Sequence, residues 1–124
     1  MRNIALIRHP IDTSSPTFAA EEGAEVQFLG VVRGSEEGRP IIGIDYTAYE
    51  PMALKMLHQV AEKAEQQFGQ HDLLLHHRLG FVKAEDPSII IRVRTRHSAA
   101  AFTICQWYLS EVKKTVPIWK RCLE

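Results

Sequence analysis

Residues 88–113, SIIIRVRTRHSAAAFTICQWYLSEVK, decide the fold because they combine the clearest strand pattern of the chain with a long helical pattern. In the first nine residues, isoleucine, valine and threonine alternate with larger polar side chains, which predicts a strand with one core-facing side. The opposite side carries Arg92, Arg94 and Arg96. This stripe is compatible with phosphate binding, with a solvated sheet face, or with ion pairing to the acidic first half of the chain.

The helix that follows is predicted from about Ser98, a suitable N-cap residue, to Lys113. Its expected apolar face consists of Phe102, Cys105, Tyr108 or Leu109, and Val112. Cys105 is therefore expected to be a buried structural thiol.

His97 lies between this strand and this helix, where side chains and free backbone N–H groups meet. It is interpreted either as a ligand-contacting residue or as a half-buried histidine that is bonded to the backbone.

Upstream of residue 88, alternating and helical patterns predict further elements. A second long helix is predicted to start at Glu50-Pro51 and to end at Gly69, and a short helix is predicted from Ser15-Pro16 to Gly23. Gly30 indicates a bulge or a close backbone approach. Strands are predicted at residues 4–8, 24–33, 40–49, 73–80 and 81–83.

Residues 34–39 are predicted to form a polar loop, and the last two strands are predicted to pair through a turn at Leu79-Gly80. The resulting fold class is α+β, with two long helices packed against a mostly antiparallel sheet. One domain is expected, spanning residues 1–124.

Residues 113–120, KKTVPIWK, follow the last helix and combine lysines with apolar residues. The segment is expected to pack, with Pro117 turning the chain so that Trp119 is buried and Lys120 projects. Packing would fix Lys113 and Lys120 close together, which indicates an anion site. Simpler interpretations are a lysine that complements the helix dipole and a surface lysine beside a buried anchor.

Charge is unevenly distributed although the net charge is zero. Residues 1–77 contain six Lys and Arg against eleven Asp and Glu, whereas residues 78–124 contain nine against four. This distribution argues against general nucleic-acid binding and favours a local anion site in the second half, or surface scatter. The six histidines have no metal-ligand spacing, so structural or solvent-exposed histidines are expected instead of metal ligands. With no span-length apolar run and no signal peptide, a cytoplasmic location is expected.

Five separated motifs together resemble one family, the large, catalytic subunit of molybdopterin synthase. The resemblance covers roughly residues 22–121. The motifs are GAEVQFLGVVRG (23–34), IDYTAYEPMA (44–53), HHRLG (76–80), TRHSAAAF (95–102) and KKTVPIWK (113–120).

This resemblance implies an α/β hammerhead fold and a homodimer within a heterotetramer. The implied partner is a small ubiquitin-like sulfur-carrier subunit whose Gly-Gly C-terminus carries a thiocarboxylate. The implied reaction is sulfur transfer to cyclic pyranopterin monophosphate, giving molybdopterin without a metal or another cofactor. The implied catalytic residues are Lys113 and Lys120. Those implied for substrate or anion binding are Arg33, His97 and Lys120. Ser98, which follows His97, and Arg121, which follows Lys120, are added as further candidates for anion binding.

Two positions depart from the family pattern. Ser98 stands where the family usually has an arginine, and family members usually continue beyond position 124 with a basic tail, part of which Arg121 is expected to replace. The alternative reading is therefore a catalytically impaired homologue that acts as a partner-binding or regulatory subunit. An RNA-binding domain is disfavoured because residues 88–98 contain no aromatic side chain among the arginines.

Overall fold

The computed structural model describes residues 1–124 as nine strands and two helices. The strands are β1 (Arg2–Ile7), β2 (Ala24–Val31), β3 (Ser35–Glu36), β4 (Arg39–Pro40), β5 (Gly43–Ala48), β6 (Asp72–Arg78), β7 (Gly80–Lys83), β8 (Pro87–Thr95) and β9 (Ile118–Leu123). The helices are α1 (Glu50–Phe68) and α2 (Ser98–Thr115).

The larger sheet has the strand order β1-β6-β8-β2, in which only β1 and β6 run parallel. Both helices pack on one face of this sheet and enclose the main core. The core is built from the alternating apolar residues of β6 and β8 and the helical stripes that face them. The predicted α+β class, with two long helices on a mostly antiparallel sheet, is confirmed.

The smaller sheet has the strand order β7-β5-β9 and lies beside a two-stranded hairpin of β3 and β4. Glu37 and Gly38 form the hairpin turn with φ of 52° and 78°, so the predicted polar loop 34–39 contains a tight hairpin. A second small core joins this region and consists of Val32, Ile41, Ile44 and Val82.

The predicted pairing of the strands on either side of Leu79-Gly80 is wrong. β6 pairs with β1 and β8, whereas β7 pairs with β5 in the other sheet. Gly80 has a φ of 84°, which L-residues rarely adopt, and this conformation redirects the chain from one sheet to the other.

The predicted short helix from Ser15-Pro16 to Gly23 is also wrong, because residues 8–23 form no helix. Carbonyl groups of this segment accept hydrogen bonds from the guanidinium groups of Arg92 and Arg94 instead of from helical N–H groups. A helix of two turns has too few internal bonds to compete with charged donors.

The predicted long helices are confirmed with small corrections. The α1 helix has proline in its first turn and ends at Gly69, whose N–H donates to the Glu65 carbonyl. The α2 helix has His97, not Ser98, at the N-cap position. Phe102 is 65% exposed and does not belong to the core-facing stripe. That stripe is Ala101, Ile104, Cys105, Tyr108 and Val112.

The C-terminal segment packs as predicted, but Trp119 is not buried. It forms β9, which pairs along the whole of β5. Ile118, which is half-buried, and Lys120, which is exposed, line the same groove, whereas Trp119, between them, is on the other side of the strand and is 57% exposed. Strand alternation therefore prevents the predicted burial of Trp119. Neither helix of the protein is long and apolar enough to cross a membrane.

Candidate functional site

Lys113 and Lys120 line one groove of about 460 Å³ between the C-terminal end of α2, the edge of the larger sheet and the smaller sheet. We call this the lysine groove. Its walls are mainly apolar side chains of β2, β8, α2 and β9. Its polar side chains are Tyr46, His77, Ser88, Lys113 and Lys120.

Each lysine is positioned by a regular element. Lys113 lies in the last turn of α2, directly after the buried Val112. Lys120 lies in the middle of β9, opposite Tyr46 of β5. Pro117 separates the two elements, so the chain turns from helix into strand and brings both lysines to the same groove.

The lysine groove has an uncompensated positive charge. None of its lining residues is acidic, and neither Lys113 nor Lys120 takes part in a salt bridge. Lys114, by contrast, points away from the groove and lies 3.9 Å from Glu111. Two unpaired ammonium groups beside apolar walls attract anions, because little protein charge opposes their field.

His77 belongs to the lysine groove although its sequence motif indicated only a structural histidine. It continues the core-facing row of Leu73 and Leu75 on β6 and is 8% exposed. Its Nδ1 donates to the Arg78 carbonyl at 2.7 Å, so Nε2 carries the free lone pair. Burial lowers the pKa of His77, which favours the neutral ring. The alternation of Leu73, Leu75 and His77 was the available signal.

Arg33 and Arg121 lie outside the lysine groove. Arg33 follows β2, is largely exposed, and its Nη2 donates to Glu36 Oε1 at 3.1 Å. Arg121 neighbours Lys120 on β9 and so points to the opposite face of the smaller sheet, where it lies 3.6 Å from Asp45. Neither guanidinium is directed at the two lysines in this chain.

His97 and Ser98 lie at the other end of α2 from Lys113. Sixteen residues separate His97 from Lys113, which corresponds to about 24 Å along a helix. Both His97 and Ser98 are exposed at the N-terminal end of the helix. The structure thus brings Lys113 and Lys120 together but leaves His97 and Ser98 remote from them within one chain.

A second cavity, of about 510 Å³, lies on the opposite face of the larger sheet. The side chains of Arg92 and Arg94 reach it, but their guanidinium groups are already bonded to Gln27, Glu25 and the carbonyls of residues 13–17. Three interpretations of the arginine stripe were open, and the structure supports ion pairing with the acidic first half of the chain.

Comparison with known proteins identifies relatives of this chain. The MoaE protein family model matches residues 6–115. The molybdopterin synthase catalytic subunit of Emericella nidulans is 36% identical over 115 residues, which are 88% of this chain and 59% of that protein. The same subunit of Pyrococcus abyssi is 33% identical over 123 residues, which are 95% of this chain and 83% of that protein. The match thus spans less than two thirds of the length of the Emericella nidulans and Aspergillus fumigatus relatives.

Solved structures show the same fold. The crystal structure of molybdopterin synthase from Staphylococcus aureus matches with a TM-score of 0.88 and 29% identity, covering 98% of this chain and 89% of that one. A complex of subunits 1 and 2 of molybdopterin-converting factor from Helicobacter pylori matches with a TM-score of 0.70 and 24% identity, covering 82% and 66%.

Proposed function

This chain belongs to the MoaE protein family, and from that membership we propose that it is the catalytic subunit of a molybdopterin synthase. In the proposed reaction, sulfur is transferred from the C-terminal thiocarboxylate of a small ubiquitin-like partner to cyclic pyranopterin monophosphate. The product is molybdopterin, the precursor of the molybdenum cofactor. The enzyme is accordingly a sulfurtransferase.

The observation that carries this proposal is the lysine groove, in which Lys113 and Lys120 have no acidic neighbour. Both proposed substrates are anionic, since one ends in a thiocarboxylate and the other contains a cyclic phosphate. Both lysines are exposed at the groove, and the apolar walls beside them strengthen their attraction for these anions by keeping the local dielectric below that of water. An extended Gly-Gly tail has no side chains and fits a groove of this kind.

The two lysines have separable roles in the proposal. Lys113 lies against the terminal carbonyl of the partner and stabilises the negative charge that develops on its oxygen during acyl transfer. Lys120 binds the phosphate of the pterin and holds it beside the thiocarboxylate. A fixed ammonium group performs both tasks without a metal ion.

The proposed assembly is a homodimer of this chain that binds two copies of the small partner. Within one chain, His97 lies about 24 Å along α2 from Lys113 and cannot reach the same substrate. A role for His97 and Ser98 in substrate binding therefore requires that a second copy supplies them. Arg33 and Arg121 are exposed, and we assign them to the outer parts of the anion-binding surface.

One observation favours a second candidate function. Ser98 occupies the position after His97 where the sequence resemblance implies arginine, and a serine cannot clamp an anion with two parallel N–H donors. The second candidate is a catalytically impaired homologue that still binds the small partner and regulates or supports an active copy.

A sulfur-transfer assay separates these functions. The purified protein is mixed with a thiocarboxylated partner and cyclic pyranopterin monophosphate, and molybdopterin is measured as its fluorescent oxidation product. Product formation supports the enzyme. Partner binding without product supports the impaired homologue, and the absence of both refutes the proposed function.

A further inference from the structure

His77 is the only side chain of the lysine groove that offers a free proton acceptor at neutral pH. The ammonium groups of Lys113 and Lys120 have no lone pair, and the groove contains no carboxylate. The hydroxyl groups of Tyr46 and Ser88 are very weak bases. The Nε2 atom of His77 has a lone pair and makes no hydrogen bond within the protein.

The surroundings of His77 fix its tautomer and its orientation. Nδ1–H donates to the Arg78 carbonyl at 2.7 Å, and a carbonyl oxygen can only accept, so the ring proton resides on Nδ1. The edge of the ring meets Tyr46 in a T-shaped arrangement, with 5.0 Å between centroids and 74° between planes. These two contacts fix the ring, and because Nδ1 makes the hydrogen bond, Nε2 stays free in a residue that lines the groove.

Sulfur transfer requires a step that the two lysines alone cannot perform. When the thiocarboxylate sulfur bonds to a pterin carbon, it displaces an oxygen substituent that leaves with the bonding electron pair. The sulfur is then still bonded to the acyl carbon of the partner. Release needs a water molecule, whose oxygen bonds to the acyl carbon while the carbon–sulfur bond breaks and its electron pair stays on sulfur. The partner leaves as a carboxylate and the pterin keeps the sulfur as a thiolate. Of the two protons of water, one must be accepted as the oxygen attacks, and the other passes to solvent when the new carboxylic acid ionises.

We propose that His77 is a catalytic residue whose Nε2 accepts a proton from the water molecule that cleaves the acyl–sulfur bond. This inference rests on the proposed function and adds the base that its chemistry requires. Lys113 stabilises the oxyanion of the same step. The ammonium group of Lys113 therefore provides the electrostatic stabilisation, and the neutral imidazole of His77 acts as the base.

The charged and titratable groups around His77 determine how this step depends on pH. They are Lys113 from α2, Lys120 from β9 and Tyr46 from β5. The neighbouring strands β1, β2 and β8 contribute only uncharged side chains, which are Leu6, Phe28, Val31, Ser88 and Ile89. No anion among them stabilises an imidazolium ion. The ring therefore stays available as a base at pH 7, and the hydrolysis step is expected to slow only below about pH 6.5, the ordinary value for histidine.

The experiment compares three variants in single-turnover reactions with thiocarboxylated partner and cyclic pyranopterin monophosphate. His77→Asn keeps an amide donor where Nδ1 donates to the Arg78 carbonyl but removes Nε2, and His77→Gln places an uncharged amide near the position of Nε2. His76→Asn is the matched control, since the neighbouring His76 points to the opposite face of the sheet and its Nε2 bonds Asn3 at 2.8 Å. Thermal melting verifies that each variant is folded.

We expect both His77 variants to slow product formation about 100-fold or more, the usual contribution of a general base. A covalent adduct of partner and pterin should accumulate and be detected by mass spectrometry after acid quenching, with partner affinity unchanged. In the His77 variants, the decrease of the rate at low pH should disappear. His76→Asn should behave as wild type.

Folded His77 variants that react at the wild-type rate would overturn the inference. Slow variants that accumulate no adduct and retain the decrease of the rate at low pH would overturn it as well. Failure of the wild-type protein to form product or adduct at all would instead refute the proposed function, which this design distinguishes from the role of His77.

Discussion

Lys120 lies directly opposite Tyr46 in the antiparallel pairing of β9 with β5, and the ring of Tyr46 meets that of His77 with 5.0 Å between centroids. Both side chains thus project from the smaller sheet toward the larger one, into the groove that Lys113 reaches from α2. The register of a single strand pair therefore determines that the second lysine faces the first. A slip by one residue would place Trp119 there instead.

Replacement of Lys120 by alanine is expected to weaken binding of the phosphate-containing substrate. Loss of one charge-assisted contact in a groove that is mainly apolar should raise KM about 10- to 100-fold, with a smaller effect on kcat. Steady-state kinetics at varied pterin concentration measure this. Lys83→Ala, an exposed lysine on the same sheet, is the control. An unchanged KM for Lys120→Ala would show that Lys120 does not bind the phosphate.

Mixed dimers test whether His97 acts across the proposed homodimer. His97→Ala and Lys113→Ala should each be inactive alone. Suppose that each site takes Lys113 from one copy and His97 from the other. A dimer of one His97→Ala chain and one Lys113→Ala chain then has one site with both residues intact and one site with both replaced. Random mixing should then recover about a quarter of wild-type activity, since half of the dimers are mixed and each has one of two sites.

The control for this experiment is a mixture of Lys113→Ala with Lys120→Ala. The mixture is assayed well below the KM for the pterin, where Lys120→Ala is also slow. Both lysines belong to the same groove of one chain, so a mixed dimer contains no site in which both are intact. Recovery with this pair, or no recovery with the His97 and Lys113 pair, would contradict the assignment of His97 to a site formed by two chains.

The hydrogen bond between Tyr108 and His71 is expected to stabilise the main core. The Tyr108 hydroxyl lies 2.6 Å from His71 Nε2, and His71 Nδ1 donates to the Gly69 carbonyl at 2.9 Å. Tyr108→Phe leaves a buried acceptor unsatisfied and should lower the free energy of unfolding by about 1–3 kcal/mol. Urea denaturation measures this, with the exposed Tyr49→Phe as a control that should change little.

The buried phenol of Tyr108 also predicts that the free energy of unfolding decreases at alkaline pH. Burial raises the pKa of Tyr108, and the charge of Glu65 raises it further. The neutral phenol is therefore favoured in the folded state, and its contribution is complete below the unfolded pKa of about 10 and declines as the pH rises above that value. Tyr108→Phe should show a smaller alkaline loss of stability than wild type, and an equal loss would contradict this account.

Arg94 is expected to fix residues 16–18 against the larger sheet. Its Nε donates to Glu25 at 2.9 Å, its Nη atoms donate to the carbonyls of Thr17 and Pro16, and its guanidinium stacks on Phe18 at 3.9 Å. Arg94→Met leaves the mostly buried Glu25 with only Ser15 and the more distant Arg92 as partners, and should destabilise the protein by about 1.5–3 kcal/mol. Limited proteolysis should then cleave this segment faster, whereas the exposed Arg96→Met should have little effect.

Acid titration provides an independent check on this pair. Burial alone would raise the pKa of Glu25, but the hydrogen bonds from Arg94 and Ser15 and the charges of Arg92 and Arg94 hold it below its ordinary value. The stability that Glu25 contributes is thus present above its unfolded pKa of about 4.3 and is lost as the pH falls through the lower folded value. In Arg94→Met this acid loss should be reduced, and an unchanged acid transition would refute the pairing.

The long helices and the strands were predictable because their signals are local. Gly69 ends α1 as predicted, and the register shift beside Gly30 confirms the predicted bulge, where a Cβ would lie 2.5 Å from Ile89 Cγ2. The failures involve long-range partners. The helix predicted near residues 15–23 was wrong because the local sequence pattern does not show that Arg92 and Arg94 bind the carbonyl groups of this segment.

The site was predictable only in part. The resemblance indicated both Lys113 and Lys120, and the structure places them in one groove. The burial of Trp119 was predicted wrongly because the pairing of β9 with β5, and not the hydrophobicity of the segment, determines which side chains face inward. His77 was missed as a groove residue because a histidine on a core-facing row resembles a structural histidine until its neighbours are known.

Single-turnover sulfur transfer by Lys113→Ala, compared with Lys114→Ala, tests the central claim most directly. The two lysines are adjacent on α2, but only Lys113 lines the groove, while Lys114 is exposed beside Glu111. Loss of an oxyanion-stabilising group should slow molybdopterin formation by Lys113→Ala about 100- to 1,000-fold, with Lys114→Ala close to wild type. A folded Lys113→Ala protein with near-native turnover would contradict the account.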